Sequence, residues 1–215
     1  MTELVFIMDR SGSMSGMEKD TIGGFNSMIE KQRREPGEAV VSTVLFDNNT
    51  EVIHDRVPIE KVPLLTEKEY FVRGCTALLD AVGGAIHHIG NVHKYARPED
   101  RPEKTLFVIT TDGLENASKR YDYMRVKQMI EREQEKYGWE FIFLGAGIDV
   151  AAEASRMGIR ANRAAAYRKT EGGMDCMFAL VDEVVCATRA GKCFDAEFRA
   201  FAESEEKKSR EKDKK

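Results

Sequence analysis

Short apolar runs alternate along the chain with longer segments in which apolar residues recur at every third or fourth position. Continuous apolar runs of this kind are typical of strands that are buried on both faces of a sheet. They lie at residues 4–8, 39–46, 51–57, 105–111 and 140–144, with a weaker run at 164–167. Because strands and helical segments alternate, the pattern predicts an α/β fold.

The segments between the runs have the periodicity of amphipathic helices. The predicted helices cover residues 17–34, 77–95, 121–136, 150–157 and 173–189. In the last of them, Met174, Met177, Phe178 and Val181 recur at helical spacing, which predicts that one face packs on the sheet. These Met and Phe side chains are therefore expected in the core.

The connection at residues 47–50, Asp-Asn-Asn-Thr, is too short for a crossover helix. The strands on either side of it should form a hairpin, so the third strand should run antiparallel at an edge. The complete prediction is a three-layer Rossmann-like sandwich. It has a mostly parallel central sheet with one antiparallel edge strand and helices on both faces.

Composition agrees with a globular domain. The chain has 215 residues, 42% of them hydrophobic and 33% charged, which favours one α/β domain with a sizeable core. We assign residues 1–192 to this domain. Residues 203–215 contain no apolar side chain, so we expect residues 193–215 to form a charged, disordered tail.

Charge and targeting signals exclude several classes of protein. The formal net charge is −4 with both signs interspersed, which speaks against nucleic acid or a membrane surface as partner. No apolar run approaches the roughly 20 residues of a membrane span. Residues 1–3 lead directly into the first strand without the pattern of a secretory signal, so we do not expect export. The four cysteines form no CxxC pair, so we expect reduced thiols in a cytoplasmic protein.

Three oxygen-bearing side chains follow the first strand. Asp9, Ser11 and Ser13 form a D-x-S-x-S pattern, and Gly12 between the serines allows a sharp turn. Carboxylates and hydroxyls suit hard cations such as Mg²⁺, Mn²⁺ or Ca²⁺. The alternative is an ordinary turn and helix N-cap, since Ser and Asp favour such positions.

Two further residues extend this pattern. Asp112 ends the fourth strand, and Thr76 precedes the second long helix. If the first and fourth strands are neighbours, Asp9 and Asp112 meet at the carboxyl edge of the sheet, where ligands of open α/β sheets bind. Taken alone, Thr76 could equally be a helix N-cap.

The combination of Asp9, Ser11, Ser13, Thr76 and Asp112 resembles a complete metal-ion-dependent adhesion site of the von Willebrand factor type A (VWA) domain. The resemblance covers residues 4–189, nearly the whole chain. Further similarity to small intracellular bacterial or phage-type members lies in three segments. They are DTIGGFN at 20–26, ALLDA at 77–81 and GWEFIFLG at 138–145.

The resemblance implies a Rossmann-like sheet with a divalent ion at its upper edge. It assigns Ser11, Ser13 and Thr76 to direct contact with the ion, and Asp9 and Asp112 to contact that is often through water. An open coordination position would then accept an Asp or Glu carboxylate from a protein partner. Mg²⁺, or Mn²⁺ or Ca²⁺, is the expected cofactor. Some family members switch between states at this site, and switching is a hypothesis for this chain.

Three functions are consistent with these patterns to different degrees. The first is a non-catalytic, cation-dependent interaction module, because no histidine lies in the site loops and Cys75 is expected to point into the core. The second is a Mg²⁺-dependent phosphoryl-transfer enzyme or hydrolase that uses Asp9 and Asp112. Against it, Ser11 stands where a D-x-D pattern needs Asp, and no suitably placed lysine follows the site. The third is a structural subunit of an intracellular assembly with a purely stabilising ion.

Two other patterns give only weak evidence for a metal site or a dinucleotide-binding site. The three histidines His87, His88 and His93 do not share one face of the predicted helix, so they are not expected to bind metal. The turn at Gly145-Ala-Gly147 lacks the third glycine of a dinucleotide-binding fingerprint, because Val150 stands there.

Five polar or aromatic residues near the site have supporting roles in this interpretation. Asp80 should be structural. Glu115 and Asn116 should line the rim or cap the following helix, and Tyr70 and Arg73 are further rim candidates.

Overall fold

The computed structural model describes residues 1–212, in which six strands form a single sheet. The strands are β1 (Thr2–Asp9), β2 (Ala39–Phe46), β3 (Thr50–Pro58), β4 (Lys104–Thr111), β5 (Glu140–Gly145) and β6 (Ala164–Ala166). Their order across the sheet is β3-β2-β1-β4-β5-β6. All neighbours are parallel except β2 and β3, which pair antiparallel. The predicted mostly parallel sheet with one antiparallel edge strand is confirmed.

Helices cover both faces of this sheet. They are α1 (Glu18–Gln32), α2 (Leu78–Tyr95), α3 (Tyr123–Tyr137), α4 (Val150–Arg156), α5 (Glu171–Arg189) and α6 (Asp195–Lys212). One core packs Leu4 and Phe6 of β1 against α1, α5 and α6, and the other packs Val5 and Ile7 against α2, α3 and α4. Because successive side chains of a strand point to opposite faces, both cores need apolar residues, which explains the unbroken apolar run in β1.

The short connection after β2 is a hairpin turn, as expected from its length. Phe46 pairs with Thr50, and the antiparallel ladder continues to the Val40–Pro58 pair with an irregularity around Thr43. The turn stands at the same edge of the sheet as the end of β1, because Asp9 pairs with Phe46.

The C-terminal segment differs from the expected disordered tail. Residues 195–212 form α6, and Phe194, Phe198 and Phe201 are buried in the same core as α5. Their spacing of four and three residues places these rings on one helical face, so this segment buries apolar surface despite its charge. The rest of the predicted tail, 213–215, lies outside the described residues. Within residues 1–212, no helix combines the length and apolarity that a membrane crossing requires.

Candidate metal centre

The ends of β1 and β4 lie side by side at the carboxyl edge of the sheet. Met8 pairs with Thr110, so Asp9 is level with the end of β4. The Thr111 hydroxyl donates a 2.6 Å hydrogen bond to Asp9 Oδ2. The expected adjacency of the two strands is therefore present, and it places Asp112 beside the loop that follows Asp9.

A chain of hydrogen bonds joins the polar side chains at this edge. Thr76 Oγ1 donates to Ser11 Oγ at 3.1 Å, and Ser11 Oγ lies 2.9 Å from Ser13 Oγ. Ser13 Oγ donates to Asp112 Oδ1 at 2.5 Å. Asp9 joins the chain because its Oδ1 accepts a 2.6 Å hydrogen bond from the backbone N–H of Ser11. The structure thus brings all five residues named from the sequence into one cluster.

Asp9 lies buried at the bottom of this cluster. Burial raises the pKa of its carboxyl group, and the hydrogen bonds from Thr111 and Ser11 oppose that rise, while the nearby Asp112 carboxylate adds to it. Both carboxylate oxygens are already engaged by protein donors. Asp9 therefore orients the Ser11 loop and contributes negative charge from behind it.

The loop before α2 directs Thr76 inward. Gly74 has φ +68°, and a Cβ there would lie 1.8 Å from Asn48 Oδ1, so only glycine fits. Asn48 Oδ1 accepts from the backbone N–H of Cys75 at 2.8 Å. Thr76 is buried, whereas Cys75 is exposed. The expectation that Cys75 points into the core was wrong, because the neighbouring Thr76 takes the inward direction.

The loop after β4 is anchored to the first turn of α2 and to the loop before it by two side chains that were expected at the rim or at the cap of the following helix. The Asn116 amide oxygen accepts from the Thr76 backbone N–H at 2.9 Å. Glu115 accepts from the backbone N–H of Leu79 at 2.8 Å, so it caps α2 rather than the helix that follows it. Asp80 accepts from the backbone N–H groups of residues 119–121, which agrees with the structural role expected for it.

Tyr70 lies underneath the site rather than on its rim. The side chain is buried, and its hydroxyl donates a 2.6 Å hydrogen bond to the backbone carbonyl of Asp9. Burial raises the pKa of this hydroxyl, so it stays protonated and remains a donor. Its position was missed because an aromatic residue in a loop has no pattern that tells buried from exposed.

A buried guanidinium joins three loops beside the cluster. Arg10 donates from Nε to Asp47 Oδ2 at 2.9 Å, from Nη1 to the Glu69 carbonyl at 3.1 Å and from Nη2 to Glu51 Oε2 at 2.7 Å. Arg73 Nε, predicted on the rim, also contacts Asp47 Oδ2 at 2.8 Å and is partly exposed. Burial opposes ionisation of Asp47, but the hydrogen bonds from Arg73, the Asn49 backbone and Arg10 outweigh it and lower the pKa of this carboxyl.

Lys169 is the site residue that sequence reasoning missed altogether. It lies between β6 and α5, and its Nζ stands 2.8 Å from Asp112 Oδ2. The same ammonium donates to the backbone carbonyl of Ser13. The expectation that no suitably placed lysine follows the site was therefore wrong. Nothing in the local sequence around Lys169 indicates a contact with a strand end so far back along the chain.

The donor set of the cluster fits a hard cation. A Cβ on Gly113 would lie 2.9 Å from Thr76 Oγ1 and 3.3 Å from Ser13 Oγ, so glycine allows the backbone after Asp112 to approach these hydroxyls closely. The cluster offers three hydroxyls and two carboxylates, the oxygen ligands that Mg²⁺, Mn²⁺ and Ca²⁺ prefer. Within residues 1–212, no group of three or more His, Cys, Asp and Glu side chains is arranged to hold a metal, so a cation at this cluster would depend on the hydroxyls as well as on the two carboxylates.

The histidines of α2 are separate from this cluster and from one another. His87 contacts Asn91, His88 contacts Asp55 at 2.8 Å, and His93 contacts Glu3. The turn at Gly147 leads into α4, whose N-cap Asp149 accepts from the Ala152 backbone N–H at 3.0 Å. Both regions are thus explained by ordinary structural contacts.

Solved structures with the same fold include several VWA-type domains. The proximal thread matrix protein 1 of the mussel byssus, solved with a zinc-occupied MIDAS motif, superposes with a TM-score of 0.58 at 14% identity over 86% of this chain and 46% of that one. A von Willebrand factor type A protein from Catenulispora acidiphila gives 0.57 at 12% identity over 87% and 42% of the two chains. The ArnB paralog VWA2 from Sulfolobus acidocaldarius gives 0.51 at 18% identity over 85% and 44%.

These similarities establish the fold of the chain as VWA-like. The chain spans less than half the length of the three proteins it matches. No protein-family model matches the sequence, and no curated protein sequence matches it.

Proposed function

We propose that this chain is a divalent-cation-dependent interaction module that binds an acidic side chain of a protein partner. The observation that supports the proposal best is the hydrogen-bonded cluster of Asp9, Ser11, Ser13, Thr76 and Asp112, with Gly113 close to its hydroxyls. The mussel byssus protein, which shares this fold, was solved with zinc at its MIDAS motif.

The three hydroxyls and two carboxylates would hold the ion. Two carboxylates balance the charge of a divalent cation, and the neutral hydroxyls supply oxygen ligands without adding charge. When bound, such an ion supplies a Lewis-acidic centre to which a partner carboxylate can bind. We infer Mg²⁺, Mn²⁺ or Ca²⁺ rather than zinc as the physiological ion, because the cluster contains no imidazole or thiolate.

The contacts in the cluster favour binding over catalysis. Both oxygens of Asp9 are engaged by Ser11 and Thr111, so the carboxylate is not free to attack a substrate. No hydroxyl or thiol of the described site is paired with a histidine base. All four cysteines are free, which fits the reducing cytoplasm that we propose as its location.

Calorimetric titration of chelator-treated protein with Mg²⁺ and Mn²⁺ tests the ion site. The parent should bind, and Ser13→Ala and Asp9→Ala/Asp112→Ala should bind at least tenfold more weakly while remaining folded by circular dichroism. Ser15→Ala is the matched control, since Ser15 is an exposed serine in the same loop whose side chain lies outside the cluster. Equal affinity of Ser13→Ala and Ser15→Ala would exclude the proposed ligands.

The second half of the proposal concerns the acidic partner. The Mn²⁺ titration is repeated in sodium acetate and in sodium chloride of the same ionic strength. If a carboxylate completes the site, acetate should increase the affinity for Mn²⁺ in the parent. Binding of Mn²⁺ with no dependence on acetate would favour the alternative of a structural subunit with a purely stabilising ion.

Phosphoryl transfer is the remaining alternative, and the ion pair between Lys169 and Asp112 is the observation in its favour. A lysine beside an aspartate at a strand end could stabilise developing charge on a phosphoryl group. Assay of p-nitrophenyl phosphate with and without Mg²⁺ decides between the two functions. Mg²⁺-dependent turnover that disappears in Asp9→Asn would replace the binding module with an enzyme.

A further inference from the structure

We propose that Lys169 is an internal competitor of the metal ion, and that it sets how tightly the site holds a cation in the absence of a partner. The proposal rests on the function proposed above and concerns the affinity of the same site. It starts from one contact: the Lys169 ammonium stands 2.8 Å from Asp112 Oδ2 and donates to the Ser13 carbonyl. The positively charged Lys169 ammonium therefore occupies the side of the cluster on which a metal ion would bind.

The Lys169 loop is held in place on both sides. At its start, the Tyr167 backbone N–H donates to the Gly145 carbonyl at 2.8 Å. At its end, the Thr170 side chain caps α5 by accepting from the Gly173 backbone N–H. A Cβ on Gly173 would lie 2.0 Å from the Arg168 carbonyl oxygen, so glycine permits the loop to pack directly on the first turn of α5. The backbone at Lys169 is thus anchored, and only its side chain needs to move.

The ion pair uses the part of Asp112 that the rest of the cluster leaves available. Oδ1 accepts from Ser13, whereas Oδ2 is buried, accepts no hydrogen bond within the described residues and faces the ammonium. A cation that binds through Asp112 must either displace Lys169 from Oδ2 or displace the Ser13 proton from Oδ1. The Lys169 side chain is 40% exposed, so a path into solvent is open to it.

Competition of this kind has a consequence for the partner. While Lys169 remains near a metal-loaded site, its positive charge repels the ion and attracts an anion. A partner carboxylate would provide a counter-ion for the released ammonium as well as an oxygen ligand. Metal and acidic partner would therefore strengthen one another's binding, as reciprocal linkage requires. The free chain would hold its cation weakly and the complex would hold it tightly.

The test compares Mn²⁺ affinity in the parent, Lys169→Met and Lys31→Met, each stripped with chelator and checked for folding. Lys31 is the matched control, because it also forms a surface ion pair with an aspartate, at 3.5 Å from Asp182, but lies away from the cluster. We expect Lys169→Met to bind Mn²⁺ about tenfold more tightly than the parent, equivalent to about 1.4 kcal/mol. Lys31→Met should match the parent. Equal affinity in Lys169→Met and the parent would overturn the inference while leaving the proposed ion site intact.

A second measurement follows the ammonium itself. Amine-reactive labelling with mass spectrometric detection should modify Lys169 slowly in the chelated protein and several-fold faster with saturating Mn²⁺, while Lys31 labels equally in both. A Lys169 labelling rate that does not change when Mn²⁺ binds would contradict displacement. Failure of both the parent and Lys169→Met to bind Mn²⁺, in acetate as in chloride, would instead remove the proposed function and this inference together.

Discussion

Arg10 and Asp47 form an ion pair at 2.9 Å in which both side chains are only 1% exposed. The pair joins the residue that follows Asp9 to the residue that follows β2, so it connects the first site loop to the hairpin turn. Asp47 also accepts from the backbone of Asn49 and contacts Arg73, which satisfies the buried carboxylate. A buried ion pair of this kind gives the loop between Asp9 and Ser11 little freedom to move.

We expect Asp47→Ala to lower the free energy of unfolding by about 3–5 kcal/mol, because it leaves the Arg10 guanidinium buried without its principal partner. Arg73→Ala removes the partly exposed partner of the same carboxylate and should cost less than about 1 kcal/mol. Urea denaturation measures both. A loss of similar size in the two variants would show that Arg10 finds other partners.

Tyr70→Phe should destabilise the protein by about 1 kcal/mol and weaken Mn²⁺ binding several-fold. The substitution removes the 2.6 Å hydrogen bond to the Asp9 carbonyl while keeping the buried ring. Tyr95→Phe is the control, since Tyr95 is 78% exposed. Urea denaturation and Mn²⁺ calorimetry of both variants test the expectation, which fails if Tyr70→Phe behaves like Tyr95→Phe.

Gly113→Ala should weaken Mn²⁺ binding at least tenfold, because the new methyl group would enter the space beside Thr76 Oγ1 and Ser13 Oγ. Gly90→Ala is the matched control, because Gly90 lies within α2 and a Cβ added there would meet no atom within 4 Å. It should leave Mn²⁺ binding unchanged and stabilise the helix by up to about 1 kcal/mol. Unaltered Mn²⁺ affinity in Gly113→Ala would show that the ion does not use this space.

His54 should make stability depend on pH near neutrality. The ring is buried, contacts Thr43 Oγ1 at 3.0 Å and stacks on Phe25. Burial lowers the pKa of His54 below the ordinary 6.5, and the nearby Glu69 carboxylate offsets only part of this decrease. Because the unfolded chain takes up a proton near 6.5 and the folded chain resists it, the free energy of unfolding should fall as pH drops below 6.5.

The substitution His54→Gln separates this contribution from those of other groups. Urea denaturation of both proteins from about pH 7.5 to about pH 5.5 should give a smaller loss of stability in His54→Gln than in the parent. Parallel pH profiles for the two proteins would contradict the expectation, because protonation of His54 would then not lower the free energy of unfolding.

Phe198→Ala tests whether α6 belongs to the folded domain. Phe198 is 2% exposed in the core that contains α5, so truncation to Ala should cost about 3–5 kcal/mol. Arg199→Ala, at the neighbouring exposed position, should change stability by less than about 0.5 kcal/mol. If thermal unfolding of Phe198→Ala matches that of Arg199→Ala, α6 does not contribute to the stability of the domain.

Local patterns in the sequence were enough to predict the sheet and the residues at its edge. Apolar runs mark strands because a central strand is buried on both faces, and the four-residue connection at 47–50 allows only a hairpin. Asp9 and Asp112 each follow such a run directly. Their meeting therefore depended only on β1 and β4 being neighbours, a condition that the sequence left open and the strand order meets.

The contacts that complete the site were decided by the tertiary structure. Tyr70 beneath Asp9, Asn116 on the Thr76 backbone and Lys169 at Asp112 join residues on separate loops, and no periodicity encodes which way a loop folds back. The rings of α6 are a similar case, because a charged segment is ordered only when a neighbouring helix offers an apolar surface. Sequence patterns thus determined which oxygens reach the edge of the sheet. Long-range packing decided which groups support those oxygens and that the Lys169 ammonium faces them.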